Sequence, residues 1–306
     1  MDELLDKIRN GDRRALARAM SAMDAGGRDA DAMKDRLRTL TGQTPWWGVT
    51  GPPGVGKSTL IDRLLIELRS RGRRVGVVAV DPTSPASNGA LLGDRVRMMN
   101  HAVDRDVFIR SLATHHAEGG LSDAALHCAR LLEWAGFDTI LIETVGVGQN
   151  EFDIADVADI CAAVLGPGYG DDIQLSKAGL IEIADILVVN KCDQPEADRL
   201  QSQLRQELDL AENGAPIEIF ATEAKSGRGV ERLLERFLEL DQAARRGETR
   251  RRRTLNEIRH DARRRCERAL TRRLNEPAAA QLADKLEHGE LTMRDAVARL
   301  TADLDI

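Results

Sequence analysis

A glycine-rich stretch near the start of the chain has the residue types that bind phosphate groups. It consists of Gly51, Pro52, Pro53, Gly54, Val55, Gly56, Lys57, Ser58 and Thr59. It matches the pattern G-x-x-x-x-G-K-[ST], in which glycines let backbone N–H groups converge where side chains would block a phosphate. Lys57 is predicted to reach the β- and γ-phosphates during catalysis, and Ser58 to offer its hydroxyl group to Mg²⁺. The sequence therefore predicts a triphosphate-binding site.

A second motif, N-K-x-D, predicts which base is bound. Asn190, Lys191 and Asp193 match it at the end of an apolar run. A carboxylate at Asp193 can accept hydrogen bonds from N1–H and the 2-amino group of guanine, and ATP would leave that carboxylate unpaired. The alternative is an ordinary loop or cap carboxylate. The later loop 220–227 resembles the guanine-side loop of such proteins, in which the backbone N–H of Ala224 would meet the base oxygen.

Carboxylates at the ends of apolar runs are candidates for metal binding and hydrolysis. Asp81 and Glu143 each occupy such a position. Glu143 also begins an E-x-x-G pattern that ends at Gly146, whose N–H group could sense the γ-phosphate. Asp94 is a further candidate, with a role as a helix N-cap as the alternative. Together with Ser58, these carboxylates form the predicted metal site.

The residue after Gly146 predicts slow hydrolysis. Many GTPases orient the attacking water with a glutamine at that position, whereas this chain has Val147. Valine can neither donate a hydrogen bond to water nor accept one from it. Lys177, which follows a loop rich in glycine and aspartate at 166–173, is the candidate for additional catalytic charge. The alternative is an exposed helix lysine.

The elements that position these residues follow an alternating pattern from residue 44 onward. Strands are predicted at 46–50, 75–80, 107–110, 138–143, 160–165, 186–190 and 217–220. Helices are predicted at 60–70, 121–135, 174–185, 196–208 and 230–240. This alternation is typical of an α/β fold with a mostly parallel sheet covered by helices. With the phosphate-binding motif, it predicts a P-loop GTPase fold.

Helical patterns flank this region on both sides and divide the sequence into three predicted parts. Residues 1–43 are predicted to form an N-terminal helical cap, residues 44–243 the GTPase domain, and residues 244–306 a C-terminal helical arm. The arm contains an arginine run at 250–253, but acidic residues follow it and no aromatic side chain is available to stack on bases. A solvated helix face or a protein contact is favoured over nucleic-acid binding.

Composition limits the class of protein further. Hydrophobic residues make up 42% of the chain and charged residues 31%, with a net charge of −6. These values are typical of a globular protein without general attraction to nucleic acid or anionic membranes. No apolar run is long enough to span a bilayer, and the first residues lack a signal-peptide pattern. The expectation is a cytoplasmic enzyme that binds neither membrane nor nucleic acid.

Several of these motifs together resemble the MeaB/ArgK family. They include the segments 79–82, 93–94, 108–111, 143–149, 170–174, 177–179 and 190–193. The family consists of G-protein chaperones of adenosylcobalamin-dependent acyl-CoA mutases, chiefly methylmalonyl-CoA mutase. The resemblance implies GTP and GDP as ligands and a homodimer joined through the C-terminal arm. It also implies Mg²⁺ held by Ser58 with help from Asp81, Asp94 and Glu143, and a switch loop at about 168–177.

Two other functions remain open at this point. A nickel metallochaperone GTPase would require histidine and cysteine clusters, whereas the cysteines of this chain are far apart. A P-loop kinase acting on a transport protein should prefer ATP, which the N-K-x-D motif disfavours. Nucleotide preference discriminates the kinase from the GTPase.

Overall fold

Helices surround a seven-stranded sheet in the part of the chain that the structure describes. The computed structural model describes residues 2–25, 28–38, 44–82, 101, 103–114, 123–144, 154–155, 157–168, 179–210, 217–242 and 246–302. The chain divides into two compact units, Met1–Thr249 and Arg250–Ile306. The predicted boundary at 243/244 lies a few residues before this division, and the predicted cap 1–43 falls within the first unit.

The strands are β1 (Trp46–Thr50), β2 (Val75–Pro82), β3 (Val107–Thr114), β4 (Thr139–Glu143), β5 (Ile160–Leu165), β6 (Ile186–Val189) and β7 (Glu218–Ala221). Their order in the sheet is β3-β2-β4-β1-β5-β6-β7, and every neighbouring pair is parallel. Each predicted strand is present, and the predicted α/β fold with a parallel sheet is confirmed.

The helices of the first unit are α1 (Asp2–Arg9), α2 (Arg13–Ala25), α3 (Arg28–Arg38), α4 (Lys57–Ser70), α5 (Asp123–Trp134), α6 (Leu180–Ile183), α7 (Glu196–Leu210) and α8 (Val230–Gln242). The second unit contains most of α9 (Arg246–Leu274), together with α10 (Pro277–Glu287) and α11 (Met293–Thr301). Among the described residues, no helix combines the length and apolar character needed to cross a membrane.

Apolar cores lie on the two faces of the sheet, since a parallel sheet must be covered on both sides. One core joins α1, α2, α3 and α5 to the face that carries Trp46 and Ile140. Another joins α4 and α8 to the face that carries Trp47 and Leu141, where Trp47 stacks on Phe237 with ring centroids 4.7 Å apart. Because successive residues of a strand point to opposite faces, the adjacent tryptophans serve different cores.

Polar contacts fasten the N-terminal helices to the sheet domain. The indole Nε1 of Trp134 on α5 donates to the Leu5 carbonyl at 2.9 Å. Arg110 of β3 lies 3.5 Å from the Asp24 carboxylate at the end of α2. Asp12 caps α2 by accepting from the Ala15 N–H at 3.0 Å, and this bond holds the pKa of Asp12 below its ordinary value. The helices 2–38 therefore have specific contacts as well as apolar ones.

Candidate functional site

The carboxyl ends of parallel strands meet at one edge of the sheet, and this edge brings together the predicted site residues that the structure describes. The glycine-rich loop follows β1 at the centre of the sheet, and Glu143 ends the neighbouring strand β4. Asn190 follows β6, and the loop at Thr222–Gly229 follows β7. This last segment is called the closing loop below.

Close protein contacts require two of the glycines in the phosphate loop. Gly51 has a φ of +136°, and a Cβ there would lie 2.0 Å from the Val164 carbonyl oxygen. Gly56 has a φ of +99°, and a Cβ there would lie 2.4 Å from Asn190 Nδ2. A side chain at either position would therefore collide with the protein itself. The motif alone suggested that glycine is needed to leave room for a phosphate. The structure shows that glycine at these two positions is also needed to avoid contact with Val164 and Asn190.

Lys57 is the first residue of α4, and its side chain folds back over the phosphate loop. Its Nζ donates to the carbonyls of Gly51 at 2.7 Å and Pro52 at 3.0 Å. The side chain is almost fully buried. The ammonium group therefore lies beside the N-terminus of α4, where the direction of the backbone N–H groups and the helix dipole favour an anion.

Ser58 and Glu143 are brought together by the pairing of β1 with β4. Val49 is in register with Glu143, and the Ser58 hydroxyl donates to Glu143 Oε1 at 2.7 Å. Both side chains are buried. A hydroxyl and a carboxylate side by side are oxygen ligands of the type that Mg²⁺ binds, so these residues fit the predicted metal site.

The structure describes the other predicted site residues less completely. The backbone of Asp81 lies in β2, two residues beyond Ala79, which is in register with Glu143. Its side chain is outside the described part of the chain. Asp94, Gly146 and Lys177 also lie outside the described residues, and their roles stay predictions.

Asn190 links the phosphate loop to the closing loop. Its Nδ2 donates to the Val55 carbonyl at 2.8 Å. Its Oδ1 accepts from the Thr222 hydroxyl at 3.1 Å and from the Ala224 N–H at 3.0 Å. The Ala224 N–H, which was predicted to meet the base oxygen, is therefore already engaged within the protein. A bound guanine would share or replace that bond.

Lys191 and Asp193 lie at the rim of the same site. Lys191 has a φ of +58°, an uncommon conformation for a residue with a side chain. Its Nζ donates to the Gly54 carbonyl at 2.8 Å, so the side chain extends across the phosphate loop. Asp193 is exposed, as a carboxylate that reads a base entering from solvent should be.

Two arginines that hold the closing loop were missed by sequence reasoning. Arg228 donates to the Sγ of Cys192 at 3.2 Å and lies 3.6 Å from the Glu223 carboxylate. The bond to Cys192, with smaller contributions from the charges of Glu223 and Asp193, raises the pKa of Arg228 above its ordinary value. Arg63 of α4 donates to two carbonyls of the loop. Neither arginine belongs to a motif, so the sequence gives no indication of these contacts.

Comparison with known proteins decides the family. The sequence profile of the family described as methylmalonyl Co-A mutase-associated GTPase MeaB matches residues 14–277. The chain belongs to this family. It is accordingly a GTPase that binds GTP and GDP, and the resemblance carried by its motifs is confirmed.

Individual proteins show the same relationship. A provisionally named GTPase of Pyrococcus horikoshii is 45% identical over 267 residues, which cover 84% of each chain. A Mus musculus protein named methylmalonic aciduria type A homolog, mitochondrial, is 40% identical over 189 residues, or 60% of this chain and 46% of the mouse protein. The crystal structure of a LAO/AO transport system kinase matches with a TM-score of 0.74, covering 98% of this chain and 96% of that one at 23% identity. This last likeness shows the fold alone.

Proposed function

We propose that this MeaB-family GTPase is a chaperone that gates cofactor loading or protection of an adenosylcobalamin-dependent acyl-CoA mutase. Methylmalonyl-CoA mutase is the expected partner. The observation that carries this proposal is the match of residues 14–277 to a family described by its association with that mutase. The name of the mouse relative, which refers to methylmalonic aciduria, supports the same partner.

Magnesium is part of the proposal. Ser58 and Glu143, whose oxygens lie 2.7 Å apart, would hold the ion, with Asp81 and Asp94 as further candidates. When bound, Mg²⁺ would offset negative charge on the β- and γ-phosphates. Lys57 would supply a second positive charge by exchanging its carbonyl partners for phosphate oxygens, since its ammonium group already lies at the loop.

The partner is expected to set the rate of hydrolysis. The free protein should turn over more slowly than about 0.1 per second, because Val147 cannot orient water. Adding a cobalamin-dependent mutase should raise the rate about tenfold or more by positioning Lys177 at the phosphates. Phosphate release measured with and without methylmalonyl-CoA mutase tests both statements. Lys177→Ala should abolish the stimulation.

Lys285→Ala is the matched control for this experiment, since Lys285 is an exposed lysine on α10. It should be stimulated like the unmodified protein. A free enzyme that hydrolyses several GTP molecules per second would refute the proposed gating. So would a Lys177→Ala variant that the mutase stimulates fully.

A homodimer formed through the C-terminal arm is also proposed. Leu255 and Ile258 lie three residues apart on α9 and are 45% and 59% exposed in the isolated chain. Met293 and Val297 lie four residues apart on α11 and are 67% and 51% exposed. Spacings of three and four residues place each pair on one helix face, where a second copy could cover it.

Removing the residues after Asp241 should therefore give a monomer that still binds GDP, because the site lies within 51–229. Light scattering would measure the mass, and fluorescence titration the affinity for GDP. A full-length protein that is already monomeric would eliminate the proposed dimer. A truncated chain that remains dimeric would place the interface elsewhere.

The two alternative functions have less support. Nickel handling would require histidine and cysteine clusters, and among the described residues no group of three or more histidine, cysteine, aspartate or glutamate side chains could hold a metal ion. The kinase remains distinguishable by nucleotide preference, since Asp193 should reject ATP. Competition between ATP and GTP for the phosphate loop is the direct test.

A further inference from the structure

Arg63 connects the helix of the phosphate site to the loop of the base site. It lies on α4, two turns after Lys57, and is half-buried. Its Nε donates to the Ala224 carbonyl at 3.1 Å, and its Nη2 donates to the Lys225 carbonyl at 2.5 Å. Two N–H groups of one rigid guanidinium therefore bind two successive carbonyls, which fixes the orientation of the loop backbone as well as its distance.

These bonds complete a closed circuit of contacts around the site. From Val55 in the phosphate loop the circuit passes to Asn190 and then to the Ala224 N–H, at 2.8 and 3.0 Å. Arg63 then connects the Ala224 carbonyl to α4. The first turn of α4 is continuous with the phosphate loop, so the ring of contacts is closed. The peptide groups on both sides of the Ala224 α-carbon are thus held, the N–H by Asn190 and the carbonyl by Arg63.

We propose that Arg63 is a positioning residue for guanine recognition, acting through the backbone of Ala224. Without it, the closing loop keeps its tie to Asn190 and its own internal bonds, among them the Gly227 N–H to the Glu223 carbonyl at 2.9 Å. The carbonyls of Ala224 and Lys225 would then lose these charged donors, and the peptide plane after Ala224 would be free to rotate, which loosens the backbone that positions the Ala224 N–H. The inference rests on the chain being a GTPase and not on the identity of the partner.

The consequence should be confined to the base. The closing loop is predicted to meet the six-position oxygen of guanine, whereas the phosphates are bound by the loop at 51–59. Loss of Arg63 should therefore weaken ligands that carry this oxygen and spare ligands that lack it. A general loss of folding would weaken both classes equally, which separates positioning from simple structural support.

The test compares GDP with 2-aminopurine riboside diphosphate, which has no oxygen at the six position. In the full-length Arg63→Ala variant, the affinity for GDP should fall about tenfold, as expected for the loss of charged hydrogen bonds. The affinity for the 2-aminopurine nucleotide should change less than twofold. Hydrogen exchange of the amides at 223–227 should become faster in the nucleotide-free variant, while exchange within α4 stays the same. Arg63→Lys, which keeps the charge but not the fork of donors, should recover part of the GDP affinity.

Arg71→Ala is the matched control. Arg71 follows the last residue of α4 and pairs with Glu235 on α8, away from the closing loop. Its removal should leave both affinities and the loop exchange unchanged. The proposal is overturned if Arg63→Ala binds GDP within twofold of the unmodified protein. It is equally overturned if GDP and the 2-aminopurine nucleotide weaken by the same factor, or if exchange in the closing loop does not change.

Discussion

Replacing Asp193 with asparagine is expected to lower the affinity for GTP at least about a hundredfold and to admit xanthosine triphosphate. Guanine presents two donors, N1–H and the 2-amino group, where xanthine has an oxygen at the two position. The carboxylate of Asp193 only accepts hydrogen bonds, whereas an amide can both donate and accept. The amide of asparagine would place a donor against a donor of guanine. Unpaired polar groups at such sites lower affinity by about a hundredfold or more.

The measurement is competition of GTP, xanthosine triphosphate and ATP against a fluorescent guanine nucleotide. Asp198→Asn is the matched control, since it makes the same chemical change at an exposed position of α7. It should behave like the unmodified protein. An unmodified protein that binds ATP and GTP within threefold of each other would show that Asp193 does not select the base.

Replacing Glu143 with glutamine is expected to reduce magnesium-supported GTP hydrolysis about 10- to 100-fold. The change removes the negative charge but keeps an oxygen that can accept the Ser58 hydroxyl, which now lies 2.7 Å from Glu143 Oε1. The packing at the end of β4 should therefore survive. Binding of GDP in the absence of metal should change little, because the phosphate loop and the base site are intact.

Hydrolysis rates across a range of Mg²⁺ concentrations would show whether the loss is one of metal affinity or of rate. Glu182→Gln, at an exposed position on α6, is the control that removes a charge outside the site. Equal loss of metal-free GDP binding would indicate misfolding and remove the assignment of Glu143 to the metal. A Glu143→Gln variant that hydrolyses GTP at the unmodified rate at every Mg²⁺ concentration would also remove the assignment of Glu143 to the metal.

The sheet was predictable because its strands are buried on both faces. Runs such as Ile186–Val189 are entirely apolar, as expected of strands that are covered on both faces in an α/β fold. The ends of β2 and β3 were not predictable. The sequence suggested ends at Val80 and Arg110, but the strands continue to Pro82 and Thr114, because the two pair along their whole length. Aspartate and proline at the end of β2 look like loop residues until the partner strand is known.

The site was predictable where a motif fixes spacing and unpredictable where distant segments meet. Lys57, Ser58 and Glu143 lie at the predicted edge of the sheet, as the motifs required. Asn190 was expected to bind nucleotide, and the motif did not reveal that its amide holds two loops together. The sequence did not indicate a role for Arg63 at the site, because its partners are backbone carbonyls more than 160 positions later in the chain. Every residue has a backbone carbonyl, so a contact with one does not require a particular residue type that a sequence motif could reveal.

The central place of β1 in the sheet has a consequence for synthesis on the ribosome. The neighbours of β1 are β4 and β5, which end at Glu143 and Leu165, whereas β1 itself ends at Thr50. The strand that leads into the phosphate loop therefore leaves the ribosome long before either neighbour does. Until then Trp46 and Trp47 have no sheet to join, and closing so long a segment of chain is slow. A nascent chain that has not yet passed Leu165 therefore lacks at least one of the two strands that hold β1, and with it the phosphate loop, in the sheet.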